Sequence, residues 1–447
     1  MSGGGKGSGE SGEGWGRPGD GGSVWSQGLS QASGWKDAIG NVAAASDDGG
    51  PKGIDDGAAG FGEGSVTETT HQSWLSRLGS AFTGILFGII LIPLACWLLF
   101  WNEGRAVHTA RALSEGAASV VSVGADRPDP ANEGRLVHVA GPLRTPGTLT
   151  DGDTGMRASG VAVLRRRVEM YQWREQSSST TTTNLGGGQT TQTTYSYSRA
   201  WSDTAIDSSR FRQPDGRSNP RMPLTGHSVV AREGTLGGFA MAEPELRLLS
   251  AGQALAPSGA LVPSIAGRPL RVTGQSIYVG QDPSSPAVGD LRITYTIAQP
   301  ETASVIARQS GQGFAPYATG NGETLHLVSD GTRTAADMIQ AAETENTVIT
   351  WALRLAGVIL ILGGFSLILR PVRVLADVVP LLGRIAEFGI GMIAGTLTLI
   401  LAPLVIAIAW LAYRPVWAVV VLVGGFAAAY GLSRLRRRRV PVAQPAH

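Results

Sequence analysis

The sequence has one cysteine, three lysines and little charge of either sign, and each shortage excludes something. Cys96 alone cannot form an intrachain disulfide or build a thiolate metal cluster, so a soluble domain must stand on its apolar core. Lys6, Lys36 and Lys52 stand against 34 arginines, and a net charge of +2 leaves no general basic surface for nucleic acid. The lysine scarcity fits a GC-rich genome, and a bacterial source is the working expectation. Only 16% of the residues are charged and 43% are hydrophobic, more apolar than an ordinary soluble enzyme. There is no phosphate-binding loop, no nucleophile elbow and no His-Glu-x-x-His spacing, and the six histidines do not cluster. No catalytic residue, metal or cofactor is therefore expected.

What is present is a set of long apolar runs. Residues 81–101 carry no charge and span ~31 Å as a helix, the thickness of a bilayer core. This run lacks a small-residue cleavage pattern and is expected to remain as an anchor. Residues 348–369 form a second span, with Arg354 near one end where its guanidinium can reach headgroups. Residues 388–411 form a third, and residues 416–432 a shorter fourth after Tyr413-Arg414-Pro415. Arg370, Arg373 and Arg384 lie between spans two and three, and five arginines follow span four in the tail 433–447. The positive-inside rule then puts both termini in the cytoplasm and residues 102–346 outside it. Residues 371–387 place their charges on one stripe and predict an amphipathic helix lying in the interface, the alternative being a continuous extension of span three. Gly84-x-x-x-Gly88 and Gly391-x-x-x-Gly395 allow close helix approach and suggest a homo-oligomer.

Residues 1–73 are rich in Gly, Ser and Asp and are expected to be a disordered cytoplasmic tail. The outer segment opens with a helical pattern after residue 102 and then turns to β. Period-two or apolar strand patterns occupy 161–173, 195–201, 270–279, 291–298, 304–309 and 324–328, and a short helix fits 243–250. The low-complexity stretch 177–194 between aromatic strands reads as a mobile hairpin loop. The fold class is an α+β membrane protein: four transmembrane helices, one N-terminal and three C-terminal, holding a large β-rich extracytoplasmic domain.

Two features suggest binding. Asn102-Glu103-Gly104-Arg105-Ala106-Val107-His108 recurs thirty residues on as Asn132-Glu133-Gly134-Arg135-Leu136-Val137-His138. Such a repeat can anchor chain turns just outside the membrane, about which the domain would hinge, or form a ligand or partner site. Glu103 with His108 and Glu133 with His138 could make a divided metal or acid/base site, though no motif supports it. The other feature is an aromatic and arginine face, with Tyr171 and Trp173 on one strand and Trp201 on the next, residue types common in interface hot spots or in ordinary cross-strand pairs.

Both Asn-Glu-Gly-Arg copies, Glu169-Met170-Tyr171-Gln172-Trp173, Asn219-Pro220, Val288-Gly289-Asp290-Leu291-Arg292, Val305-Ile306-Ala307-Arg308-Gln309, Thr350-Trp351 and Tyr413-Arg414-Pro415-Val416-Trp417 resemble the LUMA family, also called transmembrane protein 43. The resemblance runs from about Trp74 to Tyr430. It implies the one-plus-three helix arrangement, self-association, and organisation of a membrane by contact with lipids and protein partners, without an established enzymatic activity. Animal members of the family reside in the endoplasmic reticulum and inner nuclear membrane and associate with lamin and emerin; in a bacterium the corresponding site is the inner membrane. The expected function is a non-enzymatic oligomeric scaffold, with a channel or channel-associated subunit and a membrane-tethered envelope enzyme as alternatives. The acidic N-terminus, the Thr tract and the arginine tail have no counterpart in that resemblance.

Overall fold

The computed structural model describes residues 64–378 and 380–415, with backbone alone for 380–384. Among them are the helices α1 (Trp74–Ser119), α2 (Glu243–Arg247), α3 (Ala335–Ala376) and α4 (Pro380–Tyr413). Three of these, α1, α3 and α4, are long and apolar enough to cross a membrane. The fourth expected span, 416–432, and the tail 433–447 lie outside the described residues.

At 46 residues α1 is ~69 Å long, more than twice a bilayer core. It runs from an N-cap at Ser73 through the apolar run and on into the domain without a break. The expected turn and hinge at residue 102 are therefore absent, because Asn102 to Arg105 continue the helical hydrogen bonding. α3, capped by Thr334 and Asp337, packs antiparallel to α1 along its whole length. Gly88 meets the Gly364 carbonyl so closely that a Cβ would stand 2.6 Å from it. Gly84 faces the Leu367 carbonyl more loosely, at an ordinary contact distance of 3.6 Å from a Cβ built there. The Gly84/Gly88 pair thus serves packing within one chain, and it gives no support to contact between copies. Ala95, Leu99, Ile361 and Ala402 join α1, α3 and α4 in one apolar cluster.

The expected interfacial helix over 371–387 is replaced by the end of α3, a turn at Asp377-Val378 and the start of α4. Proline explains the break. Pro380 opens α4, where its missing N–H is not needed, whereas Pro371 is buried inside α3.

Among the described residues there is a seven-stranded sheet, built from the segment between α1 and α3, and a nine-stranded sheet, built from that segment and from Ser65–Gln72 ahead of α1. Both are antiparallel except for one parallel pairing, Val121–Val123 beside Leu136–Arg144. Alternating burial along Leu291–Ala298 and Val163–Thr183 supplies one core, with Leu164, Val168, Met170, Ile293, Tyr295 and Ile297 inside. A further cluster, Ala112 and Leu113 of α1, Met338 and Ile339 of α3, and Leu136, Ile306 and Leu325 of the strands, fixes the domain to the helix pair.

The Thr-rich stretch is regular structure. Val163–Thr183 and Gln189–Ser202 pair residue by residue to Thr183 opposite Gln189, so only 184–188 form a loop. β-branched threonines suit a strand, and opposed hydroxyls bond across it: Ser179 with Thr193 at 2.9 Å and Thr181 with Thr191 at 3.0 Å. Ser65–Gln72, expected within the disordered tail, adds a third antiparallel strand along 189–196. This three-stranded ribbon leaves the domain and returns to the remote end of the helices. There the Gly186 N–H donates to the Val378 carbonyl, Arg77 donates to the Gly187 carbonyl, and Arg77 pairs with Asp377 in a buried ion pair.

Arg166, one residue out of phase with the exposed arginines on either side, is buried in the domain core. Its guanidinium grips Asp151 at 2.6 and 2.7 Å, and Tyr295 and Thr154 donate to the same carboxylate. Burial raises the Asp151 pKa, but hydrogen bonds from Tyr295 and Arg166 and the Arg166 charge overcome it, and the carboxyl sits below its ordinary value. Its stabilisation is complete above the unfolded carboxylate value near ~4 and is lost as pH falls through the lower folded value. Asp151→Asn should show a smaller loss of melting temperature than the parent between about pH 4 and pH 2. Arg166→Ala, which strands the carboxylate, should cost about 3–5 kcal/mol in a neutral-pH denaturation series.

Candidate functional site

The first Asn-Glu-Gly-Arg copy lies on the α3-facing side of α1, where the apolar run ends. The Asn102 amide donates to the Thr350 carbonyl at 3.1 Å, and the Asn346 amide returns a bond to the Ala106 carbonyl at 3.0 Å. Arg105 donates to Asn346 Oδ1 and Thr350 Oγ1, both at 3.0 Å. Glu103, 1% exposed, accepts two bonds from Arg354 at 2.6 and 2.9 Å and a third from the Trp410 indole at 2.9 Å. Arg354 also lies 4.8 Å from the centre of the Trp351 ring. Gly104 gives Tyr413 of α4 its seat: a Cβ there would stand 2.8 Å from the phenol ring. A single helical turn of α1 thus clasps both α3 and α4.

Beside this clasp is a cavity of about 360 Å3 lined by Glu103, Asn346, Trp351, Arg354, Trp410 and Arg414, among others. Its walls carry indoles and arginines, which suit the boundary between lipid tails and headgroups.

The second copy takes another form. Asn132 ends a 3-10 turn, Gly134 adopts a positive φ of 77°, and Arg135 is exposed and bonds Asn132 at 3.4 Å. Glu133 accepts from the Gly311 N–H at 3.0 Å, which pins the turn to a neighbouring hairpin. The structure does not bring the two copies together into one site, and Glu133 and Arg135 do not pair. His108 stacks edge-on near Tyr413, while buried His138 bonds Ser122 and the Arg333 carbonyl. Burial lowers the His138 pKa, partly offset by that carbonyl, so the ring is neutral at pH 7.

Of the aromatic face, Trp173 is buried with Tyr197 and Phe211, and Arg199 covers its ring. Tyr171 packs on Trp201 at 5.3 Å, and Arg292, paired to Glu169, lies 4.8 Å from the Trp201 ring. These are cross-strand contacts inside the chain, with the Tyr171/Trp201 end half-exposed. Sequence reasoning missed Asn346, Thr350 and Trp410. The signal for them was Arg354, whose guanidinium does not extend to headgroups as expected but pairs with Glu103, the acid at the matching helix level.

The family model described as Transmembrane protein 43 matches residues 170–415. Mouse transmembrane protein 43 is 32% identical over 374 residues, covering 80% of this chain and 91% of the mouse protein. The chain belongs to the transmembrane protein 43 family. The human protein of that name is 33% identical over 394 residues, covering 84% of this chain and 95% of its own length. The Drosophila melanogaster homolog of transmembrane protein 43 is 31% identical over 369 residues, covering 81% and 95%. No solved structure matches the chain. The segment matched to the transmembrane protein 43 family contains Arg354 and Trp410, the partners of Glu103, together with all of α3 and α4.

The two Asn-Glu-Gly-Arg copies should respond differently to the same change. Arg354→Ala leaves Glu103 buried and uncompensated, and unfolding stability in mild detergent should fall by about 3–5 kcal/mol. Arg135→Ala removes an exposed side chain and should stay within about 0.5 kcal/mol of the parent. Equal losses from both variants would contradict the division into clasp and surface turn.

Proposed function

We propose that this family member is a non-enzymatic, self-associating membrane scaffold whose β-rich domain meets protein partners outside the cytoplasm. The observation that carries this reading is the unbroken α1/α3 pair. It couples the apolar segment to the domain without a flexible joint, so the domain is held at a fixed height and angle relative to the lipid. The residues singled out for binding in the first repeat are spent on that coupling, which favours a mechanical role for them over a catalytic one. Self-association is supported by the open edges of the ribbon, at 65–72 and at 174–183, which no strand covers among the described residues. Mass photometry in mild detergent or nanodiscs should give multiples of 46.5 kDa, and a purely monomeric population would remove the scaffold reading.

The orientation we infer follows the arginines. Arg370 and Arg373 flank the α3–α4 turn, so that end faces the cytoplasm and the domain faces away from it. Alkaline phosphatase fused after Gly216 should be active in a bacterial host, and fused after His447 inactive. The reverse pattern would invert the orientation.

A further inference from the structure

The ribbon runs level with the apolar part of the helices. It is joined to the domain at Met170, which pairs with Leu291, and to the remote helix ends through Trp74, Arg77 and Val378 at its tip. From Arg77 to Asn102 the helix rises ~38 Å at 1.5 Å per residue. From Met170 to Thr183 the strand rises ~43 Å at 3.3 Å per residue. Where α1 crosses a bilayer core of ~30 Å, the ribbon crosses the same depth. Placing all of 102–346 on one side of the membrane cannot hold for this segment.

Lipid cannot cover it. Val66 is the one apolar side chain among residues 65–72, 174–183 and 189–194; the rest are Ser, Thr, Gln, Glu, His and Arg. Both outer edges present unpaired backbone groups, and such a backbone at membrane depth persists only where protein encloses it or water fills the space. Among the described residues the chain's own helices do not enclose it: residues 176–182 are exposed, and Phe82, Phe87, Ile90 and Trp97 of α1 are more than half exposed.

We propose that copies of this chain surround a hydrophilic centre at membrane depth, the 65–72 edge of each ribbon pairing with the 174–183 edge of the next. This rests on the self-association proposed above and specifies its contact. The two open edges belong to opposite sides of one three-stranded sheet, so the contact is head-to-tail and a rotation closes it into a ring, which leaves no edge. Both edge strands run antiparallel to 189–202 and hence parallel to each other, as a rotation axis along the helices requires. Threonine facing threonine is already the chemistry of the ribbon's own pairing, where Thr67 bonds Thr194 at 3.2 Å. The apolar helix faces then turn outward to lipid, and the centre holds water.

Cysteine pairs test the contact. In a Cys96→Ala background, Thr67→Cys or Thr70→Cys is combined with each of Ser178→Cys, Ser179→Cys, Thr180→Cys and Thr181→Cys in the full chain. Within one molecule the two edge strands are two spacings apart, ~10 Å, too far for a disulfide, so a covalent multimer reports a neighbouring copy. Oxidation in membranes should give a ladder of cross-linked species for at least one combination and none for the single variants. A membrane-impermeant maleimide should label Thr181→Cys in proteoliposomes about tenfold faster than Ile90→Cys, which faces lipid. Variants are compared at parental melting temperature, as expected for exposed Ser and Thr sites. No ladder in any combination, with mass photometry still showing oligomers, would overturn the ribbon contact and leave self-association standing. A monomer in mass photometry would overturn both.

Discussion

The rest of the structure depends on the antiparallel seam between α1 and α3. One register serves three environments in turn. In the apolar part the seam is closed by glycine, with the Gly88 and Gly364 backbones in contact, because lipid offers no hydrophobic drive and close packing must hold the helices. At the end of the apolar run it is closed by hydrogen bonds from Asn102, Arg105, Asn346 and Thr350. Inside the domain it is closed by Ala112, Leu113, Met338 and Ile339, where water supplies the hydrophobic drive that lipid does not.

Two buried ion pairs bracket the apolar segment. At one end α1 contributes the cation, Arg77, to Asp377 of the α3–α4 turn; at the other it contributes the anion, Glu103, to Arg354 of α3. Burying each pair costs desolvation, so neither is strong evidence of net stability. Their arrangement does impose specificity. Sliding α1 by a turn leaves four charges unpaired at or near the lipid, a penalty far greater than the loss of a few apolar contacts. The ~39 Å of helix between Arg77 and Glu103 also sets the thickness of bilayer that the molecule accepts.

Much of this was legible in the sequence. The charge-free runs, the strands at 161–173 and 291–298, and a short helix expected over 243–250 and formed by Glu243–Arg247 follow from periodicity and turn residues. The resemblance in Asn-Glu-Gly-Arg, Val-Gly-Asp-Leu-Arg and Tyr-Arg-Pro-Val-Trp identified the family. Three things were not legible, each for a physical reason. Low complexity in 177–194 carries no hydrophobic period, so a strand stabilised by hydroxyl pairs and β-branching is indistinguishable from a loop until its partner is known. The strand at 65–72 depends wholly on that same partner. The charges of 371–387 form a helical stripe whether the segment is one helix or the ends of two, and only the location of Pro380 at a helix start separates the cases.

The repeated heptapeptide shows why the site could not be read from its residues. Six identical positions out of seven adopt an α-helix in one copy and a turn leading into a strand in the other. Glycine permits both: Gly104 sits in a helix because Tyr413 needs the space of its missing Cβ, and Gly134 sits at a positive φ because the turn needs that backbone angle. What selects between them is the neighbourhood. An apolar run ending at Trp101 delivers the first copy to Arg354 and Trp410 in low-dielectric surroundings, where Glu103 gains three hydrogen bonds. The second copy arrives after Pro128 and Pro130, which stop a helix, and Glu133 takes the Gly311 N–H at the solvent. Identical chemistry therefore becomes a buried clasp in one place and a surface turn in the other, and only the first couples membrane to domain.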